Sequence, residues 1–136
     1  MRLARAAAGA ALLAIGAGPA LAASATAGDC GRALDARHRQ QISAGAQQLA
    51  WAPQPGPLRA GRMFAVEVVL CPAGATLGKV DAEMPAHRHG MNYRPTIRAL
   101  GDGRFRAEGL LLHMPGRWRF SFELDGLRLS QERDVE

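Results

Sequence analysis

The stretch Arg117-Trp118-Arg119-Phe120-Ser121-Phe122-Glu123-Leu124, followed at once by Asp125-Gly126 and Leu127, decides the fold class. Trp118, Phe120, Phe122 and Leu124 alternate with Arg117, Arg119, Ser121 and Glu123. A period of two places the four apolar side chains on one face of an extended strand. Asp125-Gly126 is a hairpin signal, because both residues tolerate the positive φ that a two-residue turn demands. The sequence therefore predicts an antiparallel pair in which Leu127 and Leu129 return beside Leu124 and Phe122.

The same period recurs upstream. Phe64, Val66, Val68 and Leu70 share one face with Glu67 on the other, and Val80, Ala82 and Met84 alternate with Lys79, Asp81 and Glu83. Ile97 and Ala99 mark a further strand, joined through Gly101-Asp102-Gly103 to another in which Phe105, Ala107, Gly109 and Leu111 share parity. Before Arg62 the pattern is less regular. Leu34 to Ala44 reads as a short helix and Gln47 to Trp51 as a first strand, before Pro53-Gln54-Pro55-Gly56-Pro57 stops regular structure. Trp51 and Trp118 read as core anchors. About seven short strands with turn signals between them point to an all-β fold, an immunoglobulin-like antiparallel β-sandwich. A closed eight-stranded barrel is the alternative. At 136 residues the chain holds a single domain, and no internal repeat is visible.

Residues 1–22 have the zones of a secretory signal: basic Arg2 and Arg5, an apolar run from Ala6 to Ala17, and small residues at Ala20 and Ala22. Cleavage after Ala22 is expected. The run is rich in Ala and Gly and is broken by Pro19, short of the roughly 20 strongly apolar residues of a membrane span. Asp29 before Cys30 argues against a lipid anchor. The expected organisation is a signal peptide over 1–22, an N-terminal extension with a Pro-rich linker over 23–60, and the sandwich over 61–136, the whole exported to the periplasm. Removing Arg2 and Arg5 lowers the formal charge from +5 to +3, ordinary for a soluble domain. Lys79 is the sole lysine and the arginines are scattered among acids, without the clustered stripe that phosphate-backbone binding requires. Nucleic acid is therefore not an expected partner.

Cys30 and Cys71 are an even pair, for which a structural disulfide is the default in an oxidising compartment. Closing a loop of about 40 residues contributes roughly 2–4 kcal/mol. The competing reading, a pair of metal-binding thiolates, lacks Cys-x-x-Cys spacing.

Three of the four histidines and three of the five methionines fall between Met84 and Met114. One cluster reads Met84-Pro85-Ala86-His87-Arg88-His89-Gly90-Met91, the other His113-Met114-Pro115-Gly116. In an extended segment His87, His89 and Met91 project from one face. His113 and Met114 point oppositely unless the turn bends the backbone between them. Imidazole and thioether are neutral donors, and no carboxylate or thiolate joins the set, a combination suited to a singly charged soft ion such as Cu(I). Zinc would recruit Cys or a carboxylate. The plainer readings are specific too. Met84 shares the inward parity of Val80 and Ala82 and is a core candidate, and His113 shares that of Phe105 and Leu111 and can be a buried core histidine. His38, between Arg37 and Arg39, reads as solvated. No Ser/His/Asp pattern, HExxH or phosphate-cradling glycine loop is present, so an enzyme is not expected.

At Met84-Pro85-x-His87-x-His89-Gly90-Met91-Asn92, then Pro95, Arg104-Phe105-x-Ala107-x-Gly109-Leu110 and His113-Met114-Pro115-Gly116-x-Trp118, the chain resembles the YtkA-like domain family, allied to FixH-type proteins. The resemblance covers about Gly61 to Val135. It implies a small exported immunoglobulin-like module, and through the FixH-type proteins an accessory role in copper-oxidase assembly. A looser likeness is to periplasmic Cu(I) chaperones of the PCuAC type, whose His/Met ligands end in His-x-Met; here the late pair is His113-Met114. The expected function is copper handling or delivery with His87, His89, Met91, His113, Met114 and Met84 as candidate Cu(I) ligands. The alternative is a metal-free module whose loop and Tyr93 contact a periplasmic or membrane partner protein.

Overall fold

The computed structural model describes residues 29–136; the expected leader, its cleavage point and the expected lack of a membrane anchor concern residues outside that range. Nine strands follow one another: β1 (Gln40–Ala44), β2 (Gln47–Gln54), β3 (Met63–Cys71), β4 (Leu77–Met84), β5 (His89–Gly90), β6 (Thr96–Gly101), β7 (Arg104–Leu111), β8 (Gly116–Leu124) and β9 (Leu127–Val135). They form two antiparallel sheets, one in the order β1-β2-β3-β7-β6 and one in the order β5-β4-β8-β9. The result is a β-sandwich with nine strands among the described residues rather than about seven.

The β8–β9 hairpin forms as its sequence demands. Leu124 pairs with Leu127 across a two-residue turn, with Asp125 at φ 44° and Gly126 at φ 87°. Trp118, Phe120, Phe122 and Leu124 are buried, and Leu129 joins them opposite Phe122, while Leu127 at the turn stays 40% exposed. From the facing sheet Phe64, Val66, Val68 and Leu70 of β3 complete the core. Trp51 packs its ring 4.8 Å from that of Phe120 and 5.6 Å from that of Phe122, and its indole N–H donates to Gln131 Oε1. A buried indole thus keeps both its apolar contacts and its hydrogen bond.

Three expectations are corrected before Arg62. Leu34 to Ala44 is not a helix: turns occupy 29–38 and β1 begins at Gln40, closing on β2 through Gly45-Ala46, with Gly45 at φ 59°. The first predicted strand becomes β2 and runs on through Pro53 to Gln54. Pro53 lies beyond the last β1 partner, Gln40 opposite Trp51, so that flank of β2 is an open edge where a missing N–H is tolerated. Finally, β1 and β2 belong to the five-stranded sheet, so the expected boundary at residue 61 falls inside the sandwich. Cys30 and Cys71 are disulfide-bonded. The bond holds the first turn against the outer face of β2, where Cys30 and Leu34 bury Ala50 and Ala52.

A fourth correction concerns parity in β7. Met63 pairs with Leu111, Phe64 with Leu110 and Ala65 with Glu108, so Gly109 is an extra residue, a β-bulge at φ 89°. Past it the faces exchange. Leu110 and Leu112 are fully buried and Leu111 only partly so, the reverse of the even alternation read from Phe105 to Leu111. This exchange reaches His113.

Candidate metal-binding site

Two connections meet at one end of the sandwich. The first is the β4–β5 turn. The Met84 carbonyl accepts hydrogen bonds from the His87 N–H (3.2 Å) and the Arg88 N–H (2.9 Å), and Arg88 takes the left-handed φ of 55° that reverses the chain. The return places His89 opposite Met84 in the register, and the Met91 N–H extends the ladder to the Ala82 carbonyl at 3.1 Å. Residues opposite each other share a face. Met84, 3% exposed, therefore draws His89 toward the core side, and His89 is half-buried. His87 sits in the turn and is exposed.

The second connection is the segment from β7 to β8. Because the Gly109 bulge exchanges the faces, His113 is exposed and is not the core histidine that simple alternation allows, while Met114 turns inward and packs on the core. The Met114 carbonyl accepts a hydrogen bond from the Trp118 indole N–H at 3.1 Å.

These connections bring three imidazoles into one row. The His87 and His89 ring centres are 5.5 Å apart, and those of His89 and His113 are 4.8 Å apart. Two imidazoles bound to one ion at about 2.0 Å, at angles of about 90–120°, hold their ring centres about 4.5–5.5 Å apart. The spacing is one that co-ligands share with ordinary packed rings. Ring spacing is not ring orientation, however: among the described residues no three His, Cys, Asp or Glu side chains are already disposed around a common ion. His89 Nδ1 is buried without a hydrogen-bond partner in the protein, an unusual state for a buried ring nitrogen. Rotation of the imidazoles about χ2, the broad torsion of this side chain, is what would turn that nitrogen to an ion.

The methionines divide. Met84 is the register partner of His89, and its methyl occupies space that only a glycine at 116 leaves open: a Cβ there would stand 2.6 Å from Met84 Cε. Met114 is the neighbour of His113. Met91 lies two residues beyond His89 on the same face, where it packs on the core and lines a cleft with Tyr93 and Ile97. The structure therefore brings the rings of His87, His89 and His113 near one another, sets Met84 opposite His89 in the register, and packs Met91 and Met114 against the core.

The β4–β5 loop itself carries Arg88 and no acid, and the nearest carboxylate in sequence, Glu83, is 3.4 Å from the Arg119 guanidinium. The fourth histidine, His38, stands elsewhere and is corrected from solvated to half-buried. Its Nδ1 is 2.8 Å from Asp35 Oδ2, and this bond, with a second from the Arg37 N–H, holds the Asp35 carboxyl below its ordinary range.

The residue missed in sequence is Trp118. It is a core anchor, as expected, but it also forms the floor under the imidazoles, 5.4 Å from the His113 ring in an edge-to-face arrangement and 6.1 Å from that of His89. The spacing His113-x-x-x-x-Trp118 around Pro115-Gly116 was the available signal. Compared with known proteins, the chain matches no family model, no curated protein and no solved structure.

Proposed function

We propose that this is an exported accessory protein that binds Cu(I) for handling or delivery in the periplasm, a YtkA-like module whose ligands come from His87, His89 and His113 together with the thioethers of Met84 or Met114, and with Met91 as a further donor at the cleft. The observation that carries the reading is the row of three imidazoles at co-ligand spacing, with the central Nδ1 buried and unpartnered. Donor chemistry supports a soft monovalent ion: imidazole and thioether are neutral, and the loop adds no carboxylate. The disulfide is in keeping with an oxidising compartment. Neutral donors release their ion more readily than thiolates, which suits exchange.

One observation favours the second reading, a metal-free module for a periplasmic or membrane partner: Tyr93 stands 51% exposed beside the cleft. A Cu(I) competition titration of the wild type, His89→Ala, His113→Ala and Met91→Leu separates the two. Cu(I) binding in the wild type that is weakened in the histidine variants supports copper handling. Binding no tighter than micromolar, or equal in all four, refutes it in favour of the interaction module.

A further inference from the structure

The indole of Trp118 is 0% exposed, yet it faces three elements of the imidazole cluster at once. Its ring lies 5.4 Å from that of His113 with the planes at 90°, and 6.1 Å from that of His89 with the planes at 56°. Its N–H donates to the Met114 carbonyl, at 3.1 Å, which fixes the backbone next to His113. The strand that carries it is held on both sides, since β8 lies between β4 and β9 with Trp118 paired to Arg133, and the indole is fully buried. Two rings that arrive on separate, short connections thus share one wall.

We propose that Trp118 is the positioning residue of the metal site and makes it selective for a soft monovalent cation, an inference that rests on the copper reading above. Two physical effects follow from its place. Groups that orient metal-binding imidazoles govern affinity nearly as strongly as the ligands, because the rings need not be ordered when the ion arrives. An indole is also the best aromatic partner for positive charge within about 6 Å, and an edge-to-face imidazole becomes more attracted to it as coordination makes the ring more positive. A wall of this kind supplies no anionic oxygen and admits no water on its side. A divalent ion such as zinc also takes imidazole, but a wall that supplies neither water nor anionic oxygen adds less to its binding than to that of a soft monovalent ion.

The test uses the full mature chain and silver(I) as a redox-inert probe, with Cu(I) under reducing conditions as the second. The chain has two tryptophans, and the ring partners of Trp51 are Phe120 and Phe122, so Trp51→Phe leaves Trp118 as the only indole emitter. In that protein silver(I) changes the Trp118 emission and saturates at about one equivalent, as one site per chain requires, and His89→Ala in the same background abolishes the change. Trp118→Phe keeps an aromatic ring but removes the N–H, and it lowers silver(I) and Cu(I) affinity by about tenfold or more while zinc(II) affinity moves much less. Calorimetric binding of silver(I) with unchanged Trp118 emission, or equal monovalent affinity in Trp118→Phe, overturns the role of Trp118 and leaves the copper reading standing. Absence of binding by the wild type overturns both. Should Trp118→Phe fail to fold, the emission experiment in the Trp51→Phe protein decides alone, since position 118 is intact there.

Discussion

Gly116 leaves the space that the methyl of Met84, the register partner of His89, occupies, and replacing it tests that contact. Two separate penalties attach to Gly116→Ala. Its φ of +132° is a conformation that residues with a Cβ rarely adopt, a strain of about 1–3 kcal/mol. The new Cβ would also lie 2.6 Å from Met84 Cε, well inside the contact distance of about 3.5–4.0 Å between carbons. The methyl is the far end of a flexible side chain, so it swings away into a poorer rotamer at a cost of about 0.5–1.5 kcal/mol. Together the substitution destabilises by about 1.5–4.5 kcal/mol. Met84→Ala alone costs about 2–5 kcal/mol as a large-to-small change in the core. In the double variant the collision disappears and only the strain of residue 116 remains, so the combined loss falls short of the sum by about 0.5–1.5 kcal/mol. Gly109→Ala is the control: at φ +89° it is strained, but nothing lies within 4 Å of the added Cβ, so it should show no coupling to Met84→Ala. Urea unfolding of the four proteins of the Gly116 cycle and the two further ones of the control supplies the numbers. Additivity within about 0.3 kcal/mol for Gly116 and Met84 refutes the contact, and with it the claim that the glycine sets where the thioether lies.

Phe120→Ala, which empties the space between Trp51 and the β3 side chains, should cost about 3–5 kcal/mol in urea unfolding, and a loss below about 1 kcal/mol contradicts the central place given to that ring. Removing the Cys30–Cys71 bond by a double serine substitution should lower stability by about 2–4 kcal/mol, since the closed loop spans a sequence separation of 41; two free thiols found by mass spectrometry in protein purified without reductant refute the pairing. On acidification, Asp35, Glu108 and Asp134 act in one direction. Each has its carboxyl held below the ordinary value, chiefly by hydrogen bonds from His38, Arg106 and Arg117 respectively. A depressed folded-state value means stability that is present above the unfolded value and lost as pH falls through the folded one, so thermal stability should decline below about pH 4 and not between about pH 7 and 5. A midpoint that rises on going below pH 4 contradicts these pairings. The effect is modest, because all three carboxylates face solvent.

Most of the sandwich was legible because half-buried strands carry their faces in plain alternation. From β3 onward Phe64 to Leu70, Val80 to Met84 and Trp118 to Leu124 each report which side is buried, and Gly101-Asp102-Gly103 and Asp125-Gly126 report the turns. The first sheet was harder to see. β1 is an edge strand of polar Gln40, Gln41 and Ser43 with little apolar contrast, so its segment carries helix-compatible residues and no period. What settles it is long-range pairing with β2, which local propensity does not contain. The two-residue β5 is likewise a product of the turn at Met84 and its carbonyl, not of any strand-like run.

The candidate site was legible as a list of donors and not as a geometry, and Gly109 explains the difference. Read as an ordinary strand residue, it keeps Phe105, Ala107, Leu111 and His113 on the inner face and sends His113 into the core. Read as a bulge, it adds one residue to β7 against β3, so that Leu110 and Leu112 fill the core and His113 emerges beside His89. A glycine inside a strand pattern signals such an insertion, since only it takes φ near +89° without strain. The core itself selects between the two readings. Exposing Leu110 and Leu112, each now 0% exposed, would cost about 1.5–3 kcal/mol apiece, whereas the bulge costs one unpaired residue. The burial of two leucines thus fixes the side on which a histidine five residues before Trp118 must stand, and a third imidazole reaches the first two as a consequence of hydrophobic packing.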